Sequence, residues 1–451
     1  MTSKRVALRG DLLDFTGAPA LADTGMSGVR WRADHWLLIE GDRIVGAQPG
    51  AQTPDESWTC VDHRGRLILP GFIDTHVHSP QLDVIASYGT ELLDWLNTYT
   101  FPAEGAYADP QVAAAGSNRF LDALLAHGTT SAVVFPTVHK VSVDALFEAA
   151  TQRGMRVIAG KCLMDRHAPD GLRDDVLQAE RDCLALIERW HGKGRNAYAV
   201  TVRFAPTSSP EQLAMAGRLY AAAPDVYMQT HVAENRAEVQ WVAELFPQAR
   251  SYLDVYARAG LLHRRSVFAH GIWLDDADRI ALREAGAQIA FCPSSNLFLG
   301  SGLFDWHENA NAGVAVSLAT DVGGGTSLSM LRTMADGYKV QAMAGRKLTA
   351  WAALHAATRG AAHALELGHE IGSLDAGRVA DVCVWDWAVG PVAERRLEVA
   401  RDLHERVFAW MTLGDERNLI ATYVAGAKLY DRDGSTSHRP SPQPSPGGRG
   451  R

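Results

Sequence analysis

Eight short runs rich in β-branched and aromatic residues recur between about residue 70 and residue 370, and stretches with helical periodicity separate them. The runs are Phe72–His78, Thr130–Phe135, Arg156–Gly160, Ala199–Phe204, Tyr227–His231, Ser266–His270, Gln288–Cys292 and Val314–Asp321. The helical repeat is clear in Val112–His127, Val176–His191 and Arg236–Leu245. Eight strands that alternate with helices predict a closed parallel (β/α)8 barrel. A doubly wound open sheet is the alternative, but no glycine-rich phosphate fingerprint follows an early strand.

Short alternating segments at both ends of the chain predict a second, smaller β domain. We expect residues 1–68 to form its N-terminal part and residues 371–435 its C-terminal part, with the barrel at 69–370 between them. Residues 436–451 cannot bury enough apolar surface to fold, which predicts a disordered tail. The predicted fold class is therefore α/β: a TIM-like (β/α)8 barrel with a small β-sandwich domain built from both chain ends.

The composition restricts the class of protein. The 451 residues are 47% hydrophobic and 21% charged, as in a soluble globular protein. A net charge of −8 argues against a nucleic-acid partner bound through a basic surface, and no apolar run is long enough for a membrane span. The N-terminus lacks the apolar stretch of a signal peptide. The five cysteines are scattered without a CxxC pair, so we expect a cytoplasmic chain with neither disulfides nor a thiolate metal site.

The first predicted strand carries two histidines two residues apart, His76 and His78. Side chains alternate between the faces of a strand, so both imidazoles point the same way. Two imidazoles on a rigid element are good ligands for zinc or iron. A pair of ordinary histidines at a strand end is the alternative, because so short a motif carries a false-positive risk.

Three further polar residues stand at the carboxyl ends of predicted strands, which is where the active sites of such barrels lie. They are His231 on strand five, His270 on strand six and Asp321 on strand eight. Together with the two histidines of strand one, they predict a catalytic metal site of nitrogen and oxygen ligands with an open coordination position.

Other residues near these strand ends suit catalysis or substrate binding. Glu234 follows His231 by three residues and could move protons between water and a substrate. Its alternative role is a favourable negative charge at the start of a helix. Gln81 and Arg203 are candidate ligand contacts. The alternative for Arg203 is a stem packed along the barrel with a solvated head.

The five candidate metal ligands, on strands one, five, six and eight, resemble the single-metal deaminase branch of the amidohydrolase superfamily. No lysine stands at the end of strand four, where two-metal members carry a carboxylated one. Longer stretches are similar to the guanine deaminase family, and the resemblance covers roughly residues 65–430. These stretches are His78–Gln81, Leu93–Glu104, Arg203–Phe204, Thr230–Asn235, Cys292–Leu297 and Thr320–Gly325.

This resemblance implies hydrolytic deamination of guanine to xanthine and ammonia, with one Zn2+ (or iron) per chain, in a homodimer. It implies that the metal ligands are His76, His78, His231, His270 and Asp321. It implies that the catalytic residues are Glu234, Asp321 and His270. It implies substrate contacts by Gln81, Arg203, Phe204 and His231, with Arg203 donating to O6 of the purine and Phe204 packing on the ring. Leu93–Glu104 would form part of a lid.

Two alternatives remain open. A related deaminase or chlorohydrolase could act on another aminopurine or a triazine, and a barrel of this type could instead be a non-catalytic binding or assembly protein. Arg203 favours guanine over adenine, because a guanidinium only donates hydrogen bonds and C6 of guanine carries an accepting oxygen. Non-catalytic relatives usually lose ligands, whereas all five candidates and Glu234 are present here.

Overall fold

The computed structural model describes residues 4–88, 95–223 and 225–434, whose strands form two sheets. The strands are β1 (Arg5–Phe15), β2 (Val29–Glu40), β3 (Arg43–Pro49), β4 (Thr59–Pro70), β5 (Phe72–His78), β6 (Thr129–Phe135), β7 (Arg156–Ala159), β8 (Cys162–Leu163), β9 (Ala197–Val202), β10 (Tyr227–Val232), β11 (Ser266–His270), β12 (Gln288–Phe291), β13 (Ala315–Leu318), β14 (Val382–Trp385), β15 (Leu419–Val424) and β16 (Ala427–Asp431).

Helices connect most of the strands of the sheet that contains β5 to β13. The α-helices of the described residues are Phe101–Ala106, Pro110–Ala126, Lys140–Arg153, Val176–Trp190, Pro210–Ala222, Arg236–Leu245, Tyr252–Arg258, Asp276–Ala285, Pro293–Phe298, Trp306–Asn311, Met330–Met343, Ala350–Ala356, Arg359–Ala364, Pro391–Glu398 and Leu403–Leu413. A π-helical turn covers Leu96–Thr100, and 3-10 turns cover Ser79–Val84, Asp170–Leu172, Ala205–Thr207 and Glu416–Asn418. In these described ranges no helix combines the length and the apolar character needed to cross a membrane.

Parallel strands form a nearly closed barrel in the order β5-β6-β7-β9-β10-β11-β12-β13, and β8 also pairs with β9. Two backbone hydrogen bonds join β5 to the segment that follows β13. Asp321 N donates to the carbonyl oxygen of His76 at 2.9 Å, and His78 N donates to that of Val322 at 2.8 Å. The predicted TIM-like barrel is confirmed, and each of the eight predicted runs overlaps one of its strands.

The barrel strands differ from the prediction in two places. β13 ends at Leu318, three residues before Asp321, because the segment after it bonds to β5 instead of continuing along β12. The two-residue strand β8 was not predicted, since it is too short to give a periodic signal. It begins at Cys162, two residues after Gly160. A Cβ on Gly160 would lie 1.8 Å from the carbonyl oxygen of Ala199, so only glycine allows β7 and β9 to approach this closely.

The other sheet is mixed and has the order β16-β15-β14-β4-β1-β2-β3, so that strands from both chain ends pair side by side. The predicted small β domain from both termini is confirmed, and it takes the form of one continuous hydrogen-bonded sheet. The helices Pro391–Glu398 and Leu403–Leu413 between β14 and β15 were not predicted. The second of these helices could have been predicted from the sequence, because the apolar residues Val407, Trp410 and Met411 have the spacing of a helical face. The predicted disordered tail at 436–451 lies outside the described residues.

Partly buried ion pairs connect the barrel to the mixed sheet. Arg195, just before β9, donates through Nη2 to Asp381 Oδ2 at 2.6 Å and through Nε to Glu370 Oε1 at 3.2 Å. Asp381 is 5% exposed, and its Oδ1 also accepts from Ala425 N at 2.9 Å. Arg195 therefore holds together chain segments that are far apart in sequence.

We predict that Arg195→Leu lowers the melting temperature strongly, because it leaves the Asp381 carboxylate buried without its cation. Breaking a buried pair in this way costs about 3–5 kcal/mol. The matched control is Arg395→Leu, whose ion pair with Glu398 is exposed and worth about 0–1 kcal/mol. Thermal unfolding of the two variants measures the difference, and equal melting temperatures would contradict the role of Arg195.

Candidate functional site

Five polar side chains meet at the carboxyl end of the barrel. His76 and His78 lie on β5, His231 on β10 and His270 at the end of β11, while Asp321 follows β13 by three residues. All are buried except His231, which is half-buried. The structure therefore brings together all five residues that the sequence predicts as metal ligands.

The imidazoles converge on one carboxylate. Nε2 of His76 and Nε2 of His78 lie 3.1 and 3.2 Å from Oδ1 of Asp321, and Nε2 of His270 lies 3.7 Å from its Oδ2. His231 Nε2 is 3.3 Å from His78 Nε2. In the described part of the chain, His76 Nε2 and His270 Nε2 are buried without a hydrogen-bond partner. Unpartnered nitrogens that face a carboxylate are the arrangement expected of metal ligands.

Two overlapping sets of four side chains have ligand atoms that all lie within 4.8 Å of one another. One set is His76, His78, His231 and Asp321, and the other is His76, His270, Cys292 and Asp321. The sequence did not predict Cys292, although it opens the Cys292–Leu297 stretch. Its Sγ donates to the carbonyl oxygen of Ala290 at 3.3 Å, and burial raises the pKa of this thiol well above its ordinary value. Because a metal binds the thiolate, the set without Cys292 fits a metal better.

The charge states of four members of the cluster suit metal binding. Burial opposes protonation of the fifth, His270, but the Glu234 and Asp321 carboxylates outweigh it and raise the pKa of the imidazole. Burial lowers the pKa of His76, lowers that of His78 to about 3, and lowers the pKa of His231 well below its usual range. Burial opposes ionisation of Asp321, but the imidazoles of His76 and His78 outweigh it and hold the pKa of the carboxyl well below its usual value. Neutral imidazoles and an ionised carboxylate are the forms that bind a metal.

Hydrogen bonds from outside the cluster fix the orientation of its members. His231 Nδ1 donates to the carbonyl oxygen of Arg203 at 2.6 Å, and His270 Nδ1 donates to Asn296 Oδ1 at 2.9 Å. Each bond leaves the Nε2 atom of the ring for the cluster. Buried Asp74 accepts from the backbone N of His76 at 3.3 Å and from that of Thr320 at 3.1 Å, so it ties β5 to the residue before Asp321.

Glu234 lies in the loop between β10 and the helix Arg236–Leu245. Its Oε1 accepts from Ser301 Oγ at 2.9 Å, and its Oε2 lies 3.6 Å from His270 Nε2. Burial raises the pKa of Glu234, although the nearby His270 opposes the shift. The helix cap is provided by Asn235, so this geometry does not support the alternative in which Glu234 serves as helix-end charge.

Arg203 directly follows β9 and is 5% exposed, so its head is not solvated as the packed-stem alternative requires. Its Nη1 donates to both carboxylate oxygens of Glu104, at 2.7 and 2.9 Å. Gln81 Nε2 donates to Glu104 Oε1 at 2.9 Å, and Gln81 Oε1 accepts from Gly323 N at 3.1 Å. Sequence reasoning gave Glu104 no role, although it ends the Leu93–Glu104 stretch. The structure makes it the fully buried partner of both predicted substrate contacts.

One cavity joins these groups. It is lined by His78, Gln81, Trp95, Leu96, Arg203, Phe204, His231, Glu234, Glu238, His270, Leu299, Asp321 and Gly324. Trp95 and Leu96 belong to the predicted lid, while Leu93 and Asp94 lie outside the described residues. The cavity thus combines a possible metal-binding group, a carboxylate with a raised pKa and a buried guanidinium, which suits hydrolysis of a polar cyclic substrate.

Comparison with known proteins relates this arrangement to a family. A model of the amidohydrolase family matches residues 67–429. Guanine deaminase from Escherichia coli K12 is 43% identical over 430 residues, which cover 95% of this chain and 98% of that protein. The solved structure of E. coli guanine deaminase has a TM-score of 0.91 at 42% identity, and the match covers 95% of this chain and 100% of that one.

More distant structures share the fold. The crystal structure of guanine deaminase from C. acetobutylicum with bound guanine in the active site has a TM-score of 0.84 at 26% identity, and the match covers 95% of this chain and all of that one. Atrazine chlorohydrolase from Arthrobacter aurescens, at 22% identity and a TM-score of 0.79, covers 94% and 95% of the two chains and shows the fold alone. The chain belongs to the amidohydrolase family and, within it, to the guanine deaminases.

Proposed function

We propose that this chain is a guanine aminohydrolase, which converts guanine and water to xanthine and ammonia. The observation that carries the proposal is one cavity, which four members of the His/Asp cluster line together with Glu234 and the Arg203–Gln81 pair. Metal ligands alone would suit many hydrolases, whereas a buried guanidinium beside them suits a substrate whose ring carries a carbonyl oxygen. The 43% identity to a guanine deaminase supports the same substrate.

We assign the metal to His76, His78, His231 and Asp321, with His270 beside them as a fifth candidate ligand. Three nitrogen donors and one oxygen donor suit one zinc ion per chain, and iron would accept the same donors. When bound by these residues, a zinc ion would supply the Lewis acidity that lowers the pKa of a water molecule toward neutral pH. The unpartnered Nε2 atoms of His76 and His270 support this assignment.

The proton transfers fall to Asp321, Glu234 and His270. Asp321 would accept a proton from the attacking water and orient its oxygen toward C2 of guanine. Glu234 would protonate the ring nitrogen next to C2, so that negative charge does not build up on the purine. His270 Nε2 lies 3.6 Å from the Glu234 carboxylate and 3.7 Å from that of Asp321, which places the imidazole between the two proton carriers. Asp321 would then give its proton to the departing amino group, the hydroxyl proton on C2 would pass back to Glu234, and collapse of the tetrahedral carbon to the C2 carbonyl would release ammonia.

Arg203 and Gln81 would bind the purine edge, with Arg203 donating to the C6 oxygen. Glu104 fixes both side chains, because it accepts hydrogen bonds from each of them. Phe204 would pack on the ring, and Trp95 with Leu96 would keep bulk water out of the cavity. His231 would contact the substrate as well as the metal.

This arrangement weighs against the alternatives. A triazine chlorohydrolase or adenine deaminase needs no fixed guanidinium for a carbonyl oxygen on the ring. A non-catalytic barrel would not need Glu234 and the full His/Asp set in one cavity. We further propose the cytoplasm as the compartment and a homodimer as the assembly. Purine catabolism or salvage is the metabolic setting that membership of the guanine deaminases supports.

The first prediction for the site concerns metal content. Elemental analysis of the purified protein should find about one transition metal per chain, as expected for a single four-ligand site. His76→Ala and His231→Ala should each remove the metal and the activity, because each deletes a ligand. His191→Ala is the control, since His191 Nδ1 bonds to Tyr198 N away from the cluster. Two metals per chain would contradict the single-metal assignment.

The second prediction concerns Glu234→Gln, which keeps the shape and the Ser301 hydrogen bond but cannot carry a proton. Ammonia release from guanine should fall by roughly 10²–10⁴, the usual contribution of general acid–base catalysis. Metal content should not change. Glu244→Gln, at the exposed end of the following helix, is the matched control. A near-normal rate in E234Q would reject the proton-transfer role.

The third prediction concerns Arg203→Lys, which keeps a cation for Glu104 but loses the planar fork. Loss of a charged hydrogen bond to the C6 oxygen should lower kcat/KM for guanine by about 10- to 100-fold. The value for 2-aminopurine, which lacks that oxygen, should change little. An equal loss for both substrates would show that Arg203 does not bind the C6 oxygen. Efficient deamination of adenine by the unmodified enzyme would contradict the specificity.

A further inference from the structure

A second carboxylate, that of Glu238, lies next to Glu234 in the cavity wall. Glu238 is the third residue of the helix Arg236–Leu245, where it forms a capping box with Asn235: each side chain accepts from the other's backbone N, at 2.9 and 3.3 Å. A glutamate at this position usually serves the helix end alone. Here it is 6% exposed and makes two further hydrogen bonds.

These two bonds extend beyond the helix. Glu238 Oε2 also accepts from the backbone N of Glu234 at 3.0 Å, and Oε1 accepts from the hydroxyl of Tyr252 at 2.6 Å. Tyr252 is itself buried and begins the next helix. One oxygen of Glu238 therefore binds the Glu234 backbone, while the other is held in place by the following helix.

The chain turns sharply just before Glu234. Ala233 has a φ of +48°. This left-handed conformation is unfavourable for alanine, so other contacts must stabilise it. Its carbonyl oxygen accepts from Ile272 N and Trp273 N, both at 3.1 Å, so the segment after β11 holds the carbonyl side of the turn. Glu238 fixes the N–H of the same peptide group, because it accepts the hydrogen bond from Glu234 N.

The chain contains a second capping box that lacks the extra bond. Asp275 and Asp278 cap the helix Asp276–Ala285, and Asp278 Oδ2 accepts from Asp275 N at 3.4 Å. Within the described residues no bond joins Asp278 to the backbone N before the cap. The shorter aspartate completes the box and reaches no further, so the extra methylene of Glu238 is what the bond to Glu234 requires.

We propose that Glu238 is a positioning residue that holds the turn at Ala233 and thereby places the Glu234 carboxylate for proton transfer, with Tyr252 orienting Glu238 in turn. This inference rests on the proposed function of Glu234. Glu238 acts through the backbone and not on the substrate, so its loss affects kcat more than KM.

Three variants test this role. Glu238→Asp keeps the charge and, like Asp278, a capping box, but should lose the bond to Glu234 N. We expect its kcat for guanine to fall about 10- to 100-fold, as a slight misplacement of a catalytic group does. KM should stay within about threefold and metal content should not change. Glu238→Gln can still accept from both backbone N atoms and donate to Tyr252, so it should keep a kcat within about threefold of the unmodified enzyme. Asp278→Ala, which removes the Asp275–Asp278 box, should lower the melting temperature and leave kcat unchanged.

A second readout does not depend on the reaction. Amide hydrogen exchange of a peptide spanning residues 232–236 should be faster in E238D than in the unmodified protein, and unchanged in E238Q. Unchanged kcat and exchange in E238D would overturn the proposal, as would an E238Q variant as slow as E238D, since charge would then matter more than position. Failure of the unmodified protein to release ammonia from guanine would reject the proposed function instead, and the exchange data would still decide whether Glu238 holds the turn.

Discussion

The ionised carboxylate of Asp321, buried among the imidazoles of His76, His78 and His270, is the interaction on which the rest of the site depends. A buried charge is costly unless groups of opposite charge, hydrogen-bond donors or a metal compensate it. The compensation requires β5 and the segment after β13 to be neighbours, and the hydrogen bonds between His76 and Asp321 and between His78 and Val322 make them so. The contacts that close the barrel are therefore also the contacts that bring the candidate metal ligands together.

Much of this arrangement could be predicted because it follows from periodicity and position. Barrel strands are buried on both faces, so they occur in the sequence as apolar runs that helical stretches separate. Polar residues at the ends of such runs must then meet at one face of the barrel. His231 and His270 were placed correctly by this reasoning alone. Asp321 was predicted as the end of a strand, and it lies three residues beyond one because its segment bonds across to β5.

The groups that orient the site could not be predicted, because their partners are set by tertiary contacts. Glu104 is 99 residues from Arg203 in sequence, and no spacing rule links the two. Glu238 has the sequence pattern of an ordinary capping box, identical in type to that of Asp278. Its further bonds to Glu234 and Tyr252 depend on a left-handed turn that the residue type, alanine, gives no reason to expect.

Glu104 and Glu238 have the same physical role on two sides of the cavity. Each is a buried carboxylate that binds no substrate in our proposal and holds other groups that do: Glu104 fixes Arg203 and Gln81, while Glu238 fixes the backbone of Glu234. Flexible side chains such as Arg and Gln would otherwise lose rotamer entropy each time a ligand binds. Because folding has already ordered them, binding need not, and the polar groups face the reaction in a fixed geometry. The hydrogen bonds that the two carboxylates accept from these groups and from Tyr252 offset their desolvation, so the contacts that stabilise them also preorganise the site.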